Sequence, residues 1–390
     1  MKTEKNVLQN LRGNRIWIPV LIGLSISIWL LVRSLSETRF VEIVNQEVGT
    51  HSWVDYNSNG EIDFWLDKEF VISENGRYRE ETLSDILKSI DWTFHSFFWL
   101  LAAFIMMGVR DFGYMLRIRT LTDKQLSWKQ SFYVIMIWEF ASALTPGVVG
   151  GTAVAMFILN KEKISMGRST AIVVITALMD NLFFILIVPL LLLFINYDAI
   201  FPDSALSMKH SINFFFWMGY SVMFAVCVLL FLSIFLFPSL IKSILVGICK
   251  IPFLKKFKEK ANETGEEIKV TSRQFSSRPF SFWLSVFAST VLSWTGRYLV
   301  INMIMMAFLQ LNFLEHLMIF AKQFIMWVMM LVSPTPGASG VAEWAFSSLL
   351  SDLAPSALVI VSLGIVWRLV SYFPYLFIGA FLLPRWLKKR

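Results

Sequence analysis

The chain has 390 residues, of which 56% are hydrophobic, 15% aromatic and only 16% charged, against roughly 25% charge in an average soluble domain. Its apolar residues gather in uncharged runs that reach the roughly 20 residues a bilayer-spanning helix needs, which excludes a soluble enzyme and indicates an all-α polytopic membrane protein. The net charge of +7 is divided, because thirteen acidic and five basic side chains between Glu37 and Asp91 give −8 there and leave +15 on the rest, a pattern of membrane orientation rather than nucleic-acid binding.

The first element is an arm with Lys2, Lys5, Arg12 and Arg15 followed by the apolar run Ile16–Val32. No small-residue cleavage site follows, so residues 1–35 read as a cytoplasmic arm and signal-anchor helix. Residues 36–92 form an acidic extracytoplasmic domain expected to contain β-structure. Within it Asp55, Asn57, Asn59 and Asp63 follow the opening of a calcium loop, with Gly60 at the turn, but Leu66 stands where the bidentate Glu belongs. A plain β-hairpin turning at Asn59-Gly60, between Trp53-Val54 and Ile62–Trp65, fits better, and no metal is assigned. The two cysteines, Cys227 and Cys249, lie in or beside apolar runs and give neither a disulfide framework nor a zinc cluster.

Residues 93–195 form a first membrane unit. The span Thr93–Val109 returns inward, a basic loop bears Arg110, Arg117, Arg119, Lys124 and Lys129, and the apolar stretch 131–160 precedes the span Ser169–Ile195. That stretch is interrupted by Thr145-Pro146-Gly147-Val148-Val149-Gly150. A single crossing there would place Lys242–Arg278, with nine Lys or Arg and four Glu, outside, against the positive-inside rule. A re-entrant hairpin keeps that segment in the cytoplasm. Residues 196–280 hold a linking span, Ile212–Phe237, and this basic loop, whose Glu259–Glu267 stretch reads as an exposed helix.

Residues 281–390 repeat the plan with a span Phe282–Phe308, a second re-entrant hairpin at 316–350 broken at Thr335-Pro336-Gly337-Ala338-Ser339-Gly340, and a span Ala357–Leu383. The basic end, Arg385 to Arg390, then lies in the cytoplasm. Thr-Pro-Gly-x-x-Gly recurs in both hairpins, and the odd crossing between the units inverts the second. Span, hairpin, span in inverted repeat is a secondary-transporter architecture whose broken helices meet near the midplane and form the substrate site. Chance recurrence, in a chain with 12 Pro and 19 Gly, is the competing reading.

Glu139, Asp180, Arg297, Lys322, Glu343 and Arg368 lie inside apolar runs, where each requires a partner or a wet cavity. They are either structural ion pairs, such as Asp180 with Arg368, or a site in which Arg297 and Arg368 hold an anionic head group while an acid changes protonation. Half-helix N-termini following Gly150 and Gly340 would suit a phosphate. The candidate substrate-binding set is Thr145, Pro146, Gly147, Gly150, Asp180, Arg297, Thr335, Pro336, Gly337, Gly340, Glu343 and Arg368, with Glu139 and Lys322 as charge partners. No nucleophile motif or phosphate loop stands out and the four histidines are scattered, so neither catalytic residues nor a cofactor are assigned.

The run from Trp138 to Asp180, with Thr145-Pro146-Gly147 and Ile164-Ser165, resembles the first half of the lysylphosphatidylglycerol synthase transmembrane region. Pro336 to Glu343 with Arg368 is similar to that family's second signature, and the likeness covers roughly Thr93 to Leu383. The resemblance implies a flippase-like fold that moves polar or glycosylated lipids between leaflets. Three features depart from it: Gly151-Thr152 stands where members commonly carry an acidic residue, no soluble aminoacyl-transferase domain follows the last span, and the acidic external segment is an addition. The expected function is therefore translocation of a polar, anionic or glycosylated lipid across the cytoplasmic membrane without synthase activity. Membrane lipids are the expected partners, nucleic acid is not one, and a homo-oligomer is left open. A lipid-modifying membrane enzyme and a scaffold without transport are the alternatives.

Overall fold

The computed structural model describes residues 25, 38–43, 48–58, 60, 62, 67–82, 92–145, 147–196, 200, 209–248, 258–331, 333, 335–353 and 357–389. The signal anchor Ile16–Val32, apart from Ser25, lies outside the described residues, as do Asn59, Asp63 and Pro146.

The acidic segment builds a small antiparallel sheet from β1 (Thr38–Glu42), β2 (Gly49–Trp53), β3 (Phe70–Gly76) and β4 (Tyr78–Thr82), in the order β1-β4-β2-β3. Its core is aromatic: Phe40 stacks on Phe70 at 4.1 Å and Tyr78 meets Phe70 edge-on. The expected hairpin pairs differently from the reading by turn chemistry. Trp53 stands opposite Phe70, and Val54 N–H donates to the Glu69 carbonyl at 2.7 Å, so β2 pairs with β3, while residues 63–65 of the expected second strand lie outside the described residues. Asn-Gly marked a turn correctly, with Gly60 at φ 74°, but turn chemistry alone does not say which apolar run closes the ladder. Asp55 Oδ2 accepts the Gly60 N–H at 2.9 Å, a side-chain-to-backbone bond that closes the loop between them.

The remainder is helical: α1 (Phe94–Leu121), α2 (Trp128–Leu144), α3 (Gly147–Lys161), α4 (Met166–Leu192), α5 (Lys209–Phe231, prolonged by a π turn Leu232–Leu236), α6 (Ser239–Ile248), α7 (Lys258–Ser276), α8 (Phe280–Met306), α9 (Phe313–Leu331), α10 (Val341–Leu349), α11 (Ala357–Ser371) and α12 (Phe373–Lys389). Among the described residues, six stretches are long and apolar enough to cross a bilayer: Phe94–Leu121, Met166–Leu192, Phe216–Leu236, Phe280–Met306, Phe313–Leu331 and Val359–Leu387. The protein is an all-α polytopic membrane protein with a small sheet attached.

Helix α1 corrects the sequence reading. It starts at the N-cap Thr93, whose hydroxyl accepts the Ser96 N–H, and does not end at Val109. It continues for 28 residues to Leu121, so Arg110 and Arg117 are buried within it rather than exposed in a loop. A charge terminates a membrane helix only when it lacks a partner, and both arginines have one.

Helices α1 and α8 run antiparallel in close contact. His95 Nε2 lies 3.0 Å from the Met306 carbonyl, and Ser96 Oγ donates to the Ala307 carbonyl at 2.9 Å, which joins the start of one helix to the end of the other. Farther along, small residues face each other: Gly113 lies against Ser289 and Ser293, and a methyl group on Gly296 would sit 3.0 Å from both Arg110 N and the Met106 carbonyl oxygen. Hydrocarbon supplies no hydrophobic drive between membrane helices, so close backbone approach through small residues carries the packing.

Each Pro/Gly interruption separates two helices that pack on one another, α2 with α3 and α9 with α10. The base of the first pair is tied by Glu162, which accepts from Gln130 Nε2 and from Trp386 Nε1, both at 2.7 Å. In the second pair the fully buried Lys322 of α9 donates to both carboxylate oxygens of Asp352, just past α10, at 2.6 Å. The pairs are unequal, since α9 has 19 residues and α10 nine. Glu259–Glu267 falls in α7, where Glu267 Oε2 accepts the Gly167 N–H in the first turn of α4 at 2.8 Å. Lys242, 2.6 Å from Glu266, holds that carboxyl below the usual range.

Gly296→Leu should drive a branched side chain into the α1 backbone and destabilise by about 1–3 kcal/mol, as overpacking does. Gly108→Leu, where nothing lies within 4 Å of the added carbon, should leave the unfolding midpoint in detergent unchanged. Equal midpoints for the two variants would show that this contact does not hold α1 to α8.

Candidate functional site

A cavity of about 430 Å³ lies where the two interruptions meet, and Thr145 after α2 and Gly337-Ala338 before α10 both line it. The remaining wall comes from α1, α2, α3, α4, α8, α9, α11 and α12, which contribute Arg110, Glu139, Thr176, Asp180, Asn181, Arg297 and Arg368 among the polar groups and Trp138, Trp294, Trp327 and Trp367 among the aromatic ones. Polar groups of both signs inside an aromatic shell suit an amphiphilic ligand.

The breaks at its edge are finished locally. Thr145 Oγ1 donates to the Ala141 carbonyl at 2.7 Å, and Thr335 Oγ1 donates to the Ser339 carbonyl at 2.9 Å. Tyr372 of α12's approach donates its hydroxyl to the Ala143 carbonyl at 3.1 Å and so joins the second half of the chain to the end of α2. Gly337 has φ 59°, and a side chain there would collide with the Tyr372 ring. Both constraints require glycine.

Two of the intramembrane charges form a splint around that turn. Glu343 Oε2 accepts the Gly340 N–H at 2.6 Å, Glu343 Oε1 accepts Arg368 Nε at 2.7 Å, and Arg368 Nη2 donates to the Gly337 carbonyl at 2.8 Å. The guanidinium also lies 4.4 Å above the Tyr372 ring. The N-terminus of α10 is therefore filled by its own Glu343, which leaves no vacancy for a phosphate. The other half-helix begins at Gly147 rather than after Gly150, because Thr145-Pro146 ends α2 and a helix restarts readily after proline.

Asp180 does not pair with Arg368. It binds Arg117 Nη1 at 2.5 Å and accepts Trp294 Nε1 at 2.8 Å, while Arg117 also donates to Thr290 Oγ1 at 3.1 Å. Arg110, 1% exposed, lies 2.5 Å from Glu139 and 2.9 Å from Asp111. Asp111 in turn accepts the Tyr375 hydroxyl at 2.8 Å. Glu139 and Lys322, both read as charge partners, sit apart, since Lys322 pairs with Asp352 outside the cavity wall.

Arg297 stands alone. Half-buried in the wall, it makes no ion pair among the described residues, and its guanidinium lies 5.4 Å from the Trp294 ring. Thr176, on the same wall, is 4% exposed and its hydroxyl has no hydrogen-bond partner. A cation and a hydroxyl left unmatched in one chamber are the groups that an incoming anion would satisfy.

Of the sequence-derived set, the structure brings Thr145, Asp180, Arg297, Gly337 and Arg368, with Glu139, onto one cavity. Thr335, Pro336, Gly340 and Glu343 shape the adjoining turn without lining it, Gly147 and Gly150 lie in the first turn of α3, and Pro146 is outside the described residues. Arg110, Asp111, Tyr114, Arg117 and Tyr375 went unread. The signal was available, because Arg110, Tyr114 and Arg117 fall at i, i+4 and i+7 on one helical face, and Tyr114 lies beneath both guanidinium groups at 4.8 and 4.9 Å.

Comparison with known proteins gives two findings. Residues 80–379 match the family described as the lysylphosphatidylglycerol synthase transmembrane region. A protein of Archaeoglobus fulgidus named UPF0104 membrane protein is 24% identical over 320 residues, which cover 78% of this chain and 90% of that relative. No solved structure matches the chain significantly.

Glu343→Gln and Arg368→Gln each strand a buried charge, so each should destabilise by about 3–5 kcal/mol. The double variant should lose clearly less than the two combined. Thermal unfolding of the three proteins in detergent checks this, and strictly additive losses would show that the splint does not form.

Proposed function

The chain belongs to the family of the lysylphosphatidylglycerol synthase transmembrane region, and we propose that its chamber carries the head group of an anionic or glycosylated lipid from one leaflet of the cytoplasmic membrane to the other. The observation that carries this reading is Arg297: a cation within a span, without a carboxylate among the described residues, that lines one cavity of about 430 Å³ with the unmatched hydroxyl of Thr176. An unpaired charge inside a span is costly, and an anionic head group supplies what it lacks. Four tryptophans around it present rings to the less polar parts of such a head group, while the acyl chains stay in the bilayer. Both chain ends lie on the cytoplasmic side in this reading, which follows the basic segments.

The cavity lies between two interrupted helices, the arrangement in which transporters place a substrate so that either side can open around it. Cations, carboxylates and aromatic rings arranged around an open space support carriage over catalysis. Lipids are the partners this reading requires.

Transfer of labelled phosphatidylglycerol, a glycosylated lipid and phosphatidylcholine between leaflets of reconstituted vesicles tests the reading. Wild-type protein should move the anionic or glycosylated lipid faster than phosphatidylcholine, and Arg297→Gln should slow that transfer by about tenfold or more, the equivalent of a lost charge-assisted contact of at least 1.4 kcal/mol. Transfer of all three lipids at the rate of protein-free vesicles would contradict it.

A further inference from the structure

The charges around the chamber balance, but unevenly. Arg117 is matched by Asp180 and Arg368 by Glu343, and no carboxylate among the described residues matches Arg297. Arg110 is matched twice, by Asp111 and Glu139. Four guanidinium groups and four carboxylates thus give a neutral chamber, with one excess negative charge at Arg110 and one excess positive charge at Arg297. Both arginines line the same cavity.

An anion that binds Arg297 removes that balance. The chamber then holds a net negative charge in a low-dielectric surround, where an uncompensated charge is strongly disfavoured. The cheapest remedy is a proton, and one location is prepared for it. At Arg110 two carboxylates compete for a single guanidinium, and like charges that close do not both stay ionised when the local balance turns negative. The groups sharing the chamber with this pair are Arg110 and Tyr114 from α1, Tyr375 from α12, Arg297 from α8, Asp180 from α4, Arg368 from α11 and Tyr372 between α11 and α12; α3 carries no titratable group before Lys161. Among these, only the Asp111–Glu139 pair has a carboxylate to spare.

We infer that the Asp111–Arg110–Glu139 cluster takes up one proton from water when an anionic head group binds at Arg297, so that the protein carries anion and proton together. The proton adds to one carboxylate of the pair, which becomes a carboxylic acid still hydrogen-bonded to Arg110 or Tyr375, and no other bond changes. This rests on the anion reading of Arg297 and adds to it a partner ion and a means of driving transfer with a pH gradient.

The test is binding of phosphatidylglycerol, against phosphatidylcholine, to the whole protein in phosphatidylcholine nanodiscs by calorimetry over a range of pH. Uptake of one proton makes the affinity fall about tenfold per pH unit of increase, in the window between the free and bound titration points of the pair. Glu139→Gln leaves one carboxylate for Arg110, so its chamber gains a positive charge when empty and becomes neutral when occupied; its affinity should be flat with pH and no weaker than that of wild type at the alkaline end. Asp111→Asn should behave the same way and serves if Glu139→Gln does not fold. A wild-type affinity independent of pH, or a slope that survives in both variants, overturns proton coupling and leaves the anion reading standing. Undiminished phosphatidylglycerol binding by Arg297→Gln overturns the anion reading and the coupling with it.

Discussion

Charge inside hydrocarbon must be partnered, and that constraint organises the whole membrane portion. Arg110 and Arg117 continue α1 seven residues apart on one face, and their carboxylates come from three helices: Asp111 on α1 itself, Glu139 on α2 and Asp180 on α4. Arg368 reaches from α11 to Glu343 and to the carbonyl of Gly337. The pairs Arg110–Glu139, Arg117–Asp180 and Arg368–Glu343 each join two different helices, where hydrocarbon supplies no hydrophobic drive for association. A buried ion pair adds little net stability, yet losing one partner is severe. The pairs therefore fix the arrangement more than they strengthen it, and Arg297 is left without an ion-pair partner among the described residues.

The helix interruptions answer to the same constraint in its uncharged form. Backbone groups freed by proline and glycine find no water in a bilayer, so irregular chain at that depth has to be enclosed by protein or to line a cavity. Here the hydroxyls of Thr145 and Thr335 take nearby carbonyls, and Tyr372 crosses to Ala143. The result is a polar space whose edge is made of turns rather than of continuous helix. Turns of this kind change conformation at less cost than a helix middle, which is the property that alternating exposure of a site requires.

Much of the fold was legible because hydrophobic runs and Pro/Gly interruptions are local signals. The helices around Met166–Leu192, Phe280–Met306 and Val359–Leu387 follow from apolar length alone, in spite of the few charges within them. The end of α1 did not, since a reading that stops a span at its first arginine assumes the arginine has no partner, and the partners Glu139 and Asp180 lie 29 and 63 residues away. For the same reason the charged residues of the chamber were recognisable as a set while their pairing was not: Asp180 and Arg368 are a plausible couple by sign, and only the packing of α1 against α4 and α8 shows that Arg117 intervenes. In the outer sheet, Asn-Gly announced a turn but not its strands, because β-pairing is settled by the aromatic core of Phe40, Phe70 and Tyr78.

The central claim is that Arg297 and its neighbours hold an anionic lipid head group. Native mass spectrometry of the protein released directly from its own membrane tests this most directly. The account predicts retention of about one anionic lipid per chain, enriched well above its share of the surrounding membrane. Retained lipids that merely mirror the bulk composition would contradict it.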